Sequence, residues 1–255
     1  MHDVTKLLKF GPGEVSNSES NVSICSSSSL KENYDWLIFL DSRGLERDCS
    51  RHETWLMKLC GLLSDYKISY LVISRPKNIT TFPTLINFLS LNKFRFKNLI
   101  TNLGFVDCTP KKSCFVHDIN DQIKPFYFDK LPLLDLNDAI MSGNERIDLY
   151  TLRYNDEYLS YLSCVLKNNF DSSYLITTPI VDQSVQFPRK RPLSFYNQIG
   201  KSNEIISVIA EKSSSYIIDT NGLDIGTFDG VHYTKSDHRK IYIKVLNELN
   251  NVQAL

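Results

Sequence analysis

Short apolar runs alternate with longer amphipathic segments along most of the chain. The runs lie at residues 36–40 (WLIFL), 70–73 (YLVI), 98–102 (NLITN), 174–177 (YLIT) and 216–219 (YIID). Each has the length of a buried strand and is rich in β-branched or aromatic residues, which predicts five parallel strands. Between them, residues 53–66 set Trp55, Leu56, Leu59 and Leu63 on one helical stripe. Residues 83–91 follow Thr80 and Thr81 as N-caps, with Pro83 just inside the start. Residues 156–167, 194–211 and 237–249 supply three further helices, and the last carries Ile241, Val245, Leu246 and Leu249 at core spacing. Strand alternating with helix predicts an α/β fold, a doubly wound sheet covered on both faces. In such sheets ligands sit outside the carboxyl ends of the strands, so chemistry is to be sought just after each run.

Two stretches break the rhythm. Residues 16–33 (SNSESNVSICSSSSLKEN) are polar apart from Val22, Ile24 and Cys25 and bury too little surface to offset ordering entropy. They predict a flexible arm over residues 1–34, with one edge strand at 21–25, ahead of the main domain at 35–255. Residues 108–148 mix Pro110, Pro125, Pro132 and scattered aromatics without a period, which predicts an irregular insertion over one end of the sheet.

Composition narrows the function classes. With 255 residues, 42% of them hydrophobic, the chain can bury one sizeable core. Its 29 basic and 29 acidic side chains cancel, leaving no global field to hold nucleic acid or an anionic membrane. The first residues, MHDVTKLLKFGPGEVSN, show no apolar signal core, and no run approaches a membrane span, so a cytoplasmic location is expected. The six cysteines are spread through a chain that needs no staples, and neither CxxC nor HExxH occurs. Thiols are expected, with no metal and no cofactor.

Candidate chemistry stands at two strand ends. The first run continues Asp41-Ser42-Arg43-Gly44, where the serine can project from a tight turn into the crevice; a turn-forming or helix-capping serine is the plainer reading. Near the other end, Gly226-Thr227-Phe228-Asp229-Gly230-Val231-His232 precedes the last helix. The three-residue spacing lets the Asp229 carboxylate accept the imidazole Nδ1–H and leaves Nε2 for a nucleophile, whereas an Asx-turn beside a surface histidine is the structural alternative.

Together, Asp41-Ser42 after the first strand, Gly104-Phe105-Val106-Asp107 after the third and Asp229-Gly230-Val231-His232 before the last helix resemble blocks one, three and five of the SGNH (GDSL-like) hydrolases. The likeness covers roughly residues 35–250, and Thr177-Thr178-Pro179-Ile180, with residues 189–197 beyond, adds to it. The resemblance implies a flavodoxin-like three-layer α/β/α sandwich with a five-stranded parallel sheet. It also implies a serine-dependent acyl-ester hydrolase or acyltransferase with Ser42 as nucleophile, His232 as base and Asp229 as its orienter. His238 falls in the closing helix, in a packing or solvent role. Leu40 stands where the family has glycine, Arg43 replaces the leucine of GDSL, and Asn78, three residues after Arg75, aligns with the block-two glycine. Val106 replaces the block-three asparagine, a lost oxyanion donor typically costing about 2.7–4 kcal/mol. Asn102 and Arg75 are the candidate replacements, beside Gly104 and the backbone N–H groups of Ser42 and Asn78.

Two other readings compete. A strand ending in Asp41 also resembles the haloacid-dehalogenase phosphatases, although Arg43 stands where their second aspartate would help hold magnesium. A non-catalytic SGNH-fold binding module is the other. Within the ester reading, the lack of a long apolar lid suggests a short acyl group, such as acetate, on a sugar or other small polar molecule; acyl transfer to a glycan is the variant.

Overall fold

The computed structural model describes residues 14–17, 22–26, 32–44, 49–74, 80–123, 131–181, 191–252 and 254. Its centre is a set of parallel strands: β3 (Asn33–Leu40), β4 (Tyr70–Ser74), β5 (Arg95–Thr101), β8 (Ser172–Ile176) and β9 (Tyr216–Ile218), in the order β4-β3-β5-β8-β9. This is the five-stranded flavodoxin-like arrangement expected, with the chain reversing direction across the sheet at β3. Along β3, Trp36, Ile38 and Leu40 enter one apolar layer and Leu37 and Phe39 the other, so the uninterrupted run WLIFL is the signature of a strand buried on both faces.

Helices α1 (Trp55–Asp65) and α7 (Lys235–Asn251) cover the first face. Helices α2 (Phe82–Leu91), α5 (Asp156–Asn169) and α6 (Phe195–Ser213) cover the second. Helix α1 buries Trp55, Leu56, Leu59 and Leu63 as its periodicity predicts, and Thr54 accepts the Met57 N–H at 3.3 Å to cap it. Each such side chain, fully buried, contributes about 1.5–3 kcal/mol. At the start of α2, Thr81 and Thr84 exchange backbone-to-hydroxyl hydrogen bonds, with Pro83 in the first turn.

The two stretches that break the pattern are more regular than expected. Within residues 1–34, β1 (Glu14–Asn17) and β2 (Val22–Ser26) form an antiparallel pair that continues the sheet beyond β4, with Ile24 opposite Ile73. The edge strand expected at 21–25 is β2, while β1 is not predicted by the pattern; unpaired backbone groups on a sheet edge recruit a strand whatever its side chains.

The described parts of the stretch 108–148 are not irregular. After the short α3 (Phe105–Cys108) come α4 (Ser113–Ile123) and a two-stranded hairpin, β6 (Leu133–Ser142) with β7 (Glu145–Leu152). Gly143 at φ +62° opens its two-residue turn, a conformation strained for other residues. Most of β6 is exposed or half-buried, so neither face demands an alternation of apolar residues and no period shows in the sequence.

The described cysteines 49, 60, 108, 114 and 164 stand as thiols. No helix among the described residues is long and apolar enough to cross a membrane.

His238 on α7 is fully buried, its Nδ1 accepting the Trp55 N–H at 3.4 Å and its ring edge-on to Tyr233. It packs rather than facing solvent. Burial pushes its pKa down to about 4, with Lys58 adding to the depression and Asp237 opposing it. The folded chain thus holds it neutral while the unfolded chain protonates it near 6.5, so its contribution to stability is present above that value and lost as pH falls towards 4. A shift of this size corresponds to about 3 kcal/mol. Urea unfolding between about pH 7 and pH 4.5 should show wild type losing more stability than His238→Gln; parallel losses would clear His238 of the effect.

Candidate active site

The carboxyl end of β3 is pinned by a buried ion pair. Asp41, next after Leu40, accepts the Arg43 N–H at 2.8 Å, and Ser42–Gly44 make one 3₁₀ turn. The Arg43 guanidinium doubles back onto the same carboxylate, with Nε 3.1 Å from Oδ1 and 3.0 Å from Oδ2 and Nη2 2.9 Å from Oδ2. It also donates to Thr178 Oγ1 at 2.7 Å and to the Asn102 carbonyl, and it lies 4.9 Å from the Phe105 ring centroid. Burial alone would lower the Arg43 pKa, but the charge and hydrogen bonds of Asp41, with Tyr233 and Asp107, together outweigh it and hold the group above its ordinary value. One side chain thereby joins the loops after β3, β5 and β8, and the departure from leucine at position 43 acquires a structural reason.

Ser42, between these two residues, is half-buried, and its hydroxyl points the other way. Its Oγ lies 3.1 Å from His232 Nε2, and His232 Nδ1 lies 2.9 Å from Asp229 Oδ2. The turn between β9 and α7 builds the second contact locally. Asp229 Oδ1 accepts the N–H groups of Val231 at 3.0 Å and His232 at 2.8 Å, while the Phe228 N–H donates to the His232 carbonyl at 3.2 Å. Phe228 stacks on the imidazole at 5.8 Å. Burial pushes the Asp229 carboxyl up, but donation from the His232 N–H and ring outweighs it, and its pKa lies below the usual range. The carboxylate is thus available to fix an Nδ1–H tautomer, leaving Nε2 to accept from Ser42.

Arg191, which the sequence reading passed over, belongs to this cluster. It donates to the Asp229 carbonyl through Nη2 at 2.8 Å and Nε at 3.2 Å, reaches Oδ2 at 3.3 Å, and stacks 4.8 Å over Phe195. Its only signal is its position, one residue before Pro192 and close ahead of a helix.

The expected oxyanion donors fare differently. Asn102 is turned to the strand end, where it donates through Nδ2 to Asp41 Oδ1 at 2.9 Å and accepts the Asp41 N–H at 2.8 Å. Gly104 donates its N–H to Asp107 Oδ2 at 3.0 Å. Its φ of +106° and the approach of Ile206, 3.1 Å from where a Cβ would lie, call for glycine on packing grounds. Both donors are therefore engaged within the protein, and neither residue lines the cavity over Ser42. Arg75 and Asn78 lie outside the described residues. Val106 packs against the cluster of Phe105, Phe195, Ile199 and Val231. The Ser42 N–H has no acceptor among the described residues.

Asp107 organises the surrounding loops. Buried, it accepts from the Phe82 N–H at 3.0 Å and the Tyr154 hydroxyl at 2.6 Å besides Gly104, and its own carbonyl accepts from Thr151 Oγ1 at 3.1 Å. Lys111 exchanges backbone hydrogen bonds with Tyr150 at 2.9 and 2.7 Å. These contacts fasten the base of the β6–β7 hairpin beside the crevice.

A cavity of about 780 Å³ opens over Ser42 and His232, walled by α3, the hairpin and the start of α6. That is the size of a pocket for a substantial organic ligand. Among the described residues no three His, Cys, Asp or Glu side chains converge as a metal site.

No family model matches the chain, and no curated protein does. Among solved structures it is similar to Axe2, an acetylxylan esterase from Geobacillus stearothermophilus, at 15% identity over 86% of this chain and 96% of that one, with a TM-score of 0.49. It is similar to the psychrotrophic esterase EstA from Pseudoalteromonas sp., at 12% identity over 87% of this chain and 100% of that one, TM-score 0.49. TesA matches at 11% identity over 84% and 97%, TM-score 0.46.

Proposed function

We propose that the chain is a serine-dependent hydrolase of carboxylic esters, with Ser42 as nucleophile, His232 as general base and then acid, and Asp229 as the group that orients it. The observation that carries this reading is the unbroken hydrogen-bond chain Asp229–His232–Ser42, closed between residues 190 positions apart at the mouth of one cavity. A serine hydroxyl is a weak nucleophile until a base takes its proton. Ser42 Oγ attacks the ester carbonyl carbon as its proton passes to His232 Nε2, and the alcohol leaves with that proton. Water then attacks the acyl-serine, giving its proton to Nε2, and the acid departs as Ser42 regains its hydrogen. The Ser42 N–H supplies one donor to the developing oxyanion.

The phosphatase reading is weakened at Asp41. Its carboxylate is 1% exposed and held by Arg43 and Asn102, so it faces neither a phosphate nor a magnesium ion. A fluorophosphonate probe separates the readings, since it esterifies a serine whose hydroxyl has a base within reach. Wild type is expected to label on Ser42 alone. Labelling that persists in Ser42→Ala would remove Ser42 from the reaction.

A further inference from the structure

Thirteen described residues line the cavity over Ser42, and only four of them, Ser42, Thr109, Arg191 and His232, carry a polar side chain. Ser42 and His232 are bonded to each other, and Arg191 is drawn onto Asp229. The Thr109 hydroxyl donates to the Val106 carbonyl at 3.1 Å and accepts from Lys111 at 3.0 Å. A sugar or other polyol needs several convergent donors and acceptors, and each hydroxyl buried without one is unfavourable. Side chains offer few of these, since nine of the thirteen described lining residues are apolar.

The hairpin supplies much of that apolar wall. Ala139, Ile140 and Met141 of β6 and Leu149 of β7 line the cavity. Its outer part is tied across the opening: the register shifts between Asp135 and Ala139, Asn137 turns to φ +50°, and the Asp138 carboxylate accepts the Ser194 N–H at 2.7 Å. That bond holds the Asp138 pKa below the ordinary value and joins β6 to the start of α6, which carries Phe195 on the facing wall. Ile140, 38% exposed, stands opposite Ile147 and on the same face as Leu149, whereas Met141 stands opposite Arg146 on the other face of the hairpin, so Ile140 is the apolar side chain that a bound apolar group would cover.

We propose that this cavity is an acyl pocket for esters of medium-length apolar acids, hexanoyl to decanoyl, and that Ile140 and Leu149 of the hairpin set that preference. The proposal rests on the ester-hydrolase reading of Ser42 and replaces the short acyl group on a polar carrier that the sequence suggested.

The test uses the full chain with p-nitrophenyl acetate, butyrate, hexanoate, octanoate and decanoate below their micellar concentrations. Each methylene buried is worth about fourfold in kcat/KM, so octanoate should exceed acetate by at least about thirtyfold, the equivalent of two to three buried methylenes. Ile140→Asn and Ile140→Ser place a polar group on the wall and should lower the octanoate-to-acetate ratio by about tenfold. A hairpin that merely supports the fold would lower both esters together and leave the ratio where it was. Acetate as the best substrate, or an unmoved ratio in both folded variants, overturns the acyl pocket while Ser42-dependent acetate turnover keeps the ester reading standing. Absence of Ser42-dependent turnover of every ester, with no fluorophosphonate labelling, overturns both.

Discussion

Ser42→Ala, His232→Ala and Asp229→Asn each lower kcat by about 10³-fold or more while the protein melts close to wild type. On the proposed reading the three side chains act as one relay, in which Asp229 fixes the ring through Nδ1 and Nε2 takes the proton of Ser42 Oγ, along contacts of 2.9 and 3.1 Å. Once Ser42 is gone the base has nothing to activate. The Ser42→Ala/His232→Ala double should therefore be little worse than Ser42→Ala alone. Asp229 differs in one respect, because its Oδ1 also accepts the Val231 and His232 N–H groups, so asparagine is chosen to keep an acceptor there. Turnover of a good ester substrate and thermal melting on the three singles and the double decide the matter. Near-normal turnover in His232→Ala, or a double whose loss is the product of the singles, would dissolve the relay and leave a structural turn.

Arg43→Met should destabilise the fold by about 3–5 kcal/mol, because it strands the Asp41 carboxylate in a site from which water is excluded. The removed guanidinium also leaves Thr178 Oγ1 and the Asn102 carbonyl without their donor. Methionine refills part of the volume beneath Phe105, so the loss reports charge and hydrogen bonding more than a cavity. Asp41→Asn in the same chain removes the stranded charge and should restore a part of the stability. Urea unfolding of the two singles and the double measures this as a coupling. A loss below about 1 kcal/mol in Arg43→Met, or strict additivity, would mean that the pair contributes nothing as a pair.

Several features of this protein are set by interactions between near neighbours in the chain, and those were legible in the sequence. The run at 36–40 reads as a central strand because both faces of β3 are buried, so every residue had to be apolar. The caps of α1 and α2 lie within three residues of the N–H groups they satisfy. The Asp229-to-His232 turn is closed by bonds spanning two and three residues, so its hydrogen-bond geometry could be read from four letters. Its partner Ser42 could be placed only as a residue at a strand end.

The tertiary structure decided the rest, where the partner of a group lies far along the chain or is solvent. Arg43 reads as a departure until Asn102 and Thr178 appear beside it, 59 and 135 positions away. Asn102 and Gly104 looked available for an oxyanion because nothing in the sequence reveals that Asp41 and Asp107 already hold them. The hairpin left no period because its strands face solvent on much of their surface, and its one sequence signal was the Gly143-Asn144 pair at the turn. The apolar wall over Ser42 is drawn from α3, β6, β7 and the start of α6, segments that share no motif and meet only when the sheet and its helices have packed. Short-range patterns record what each segment buries, whereas a cavity is a property of which segments face each other, and that is fixed by packing across the fold.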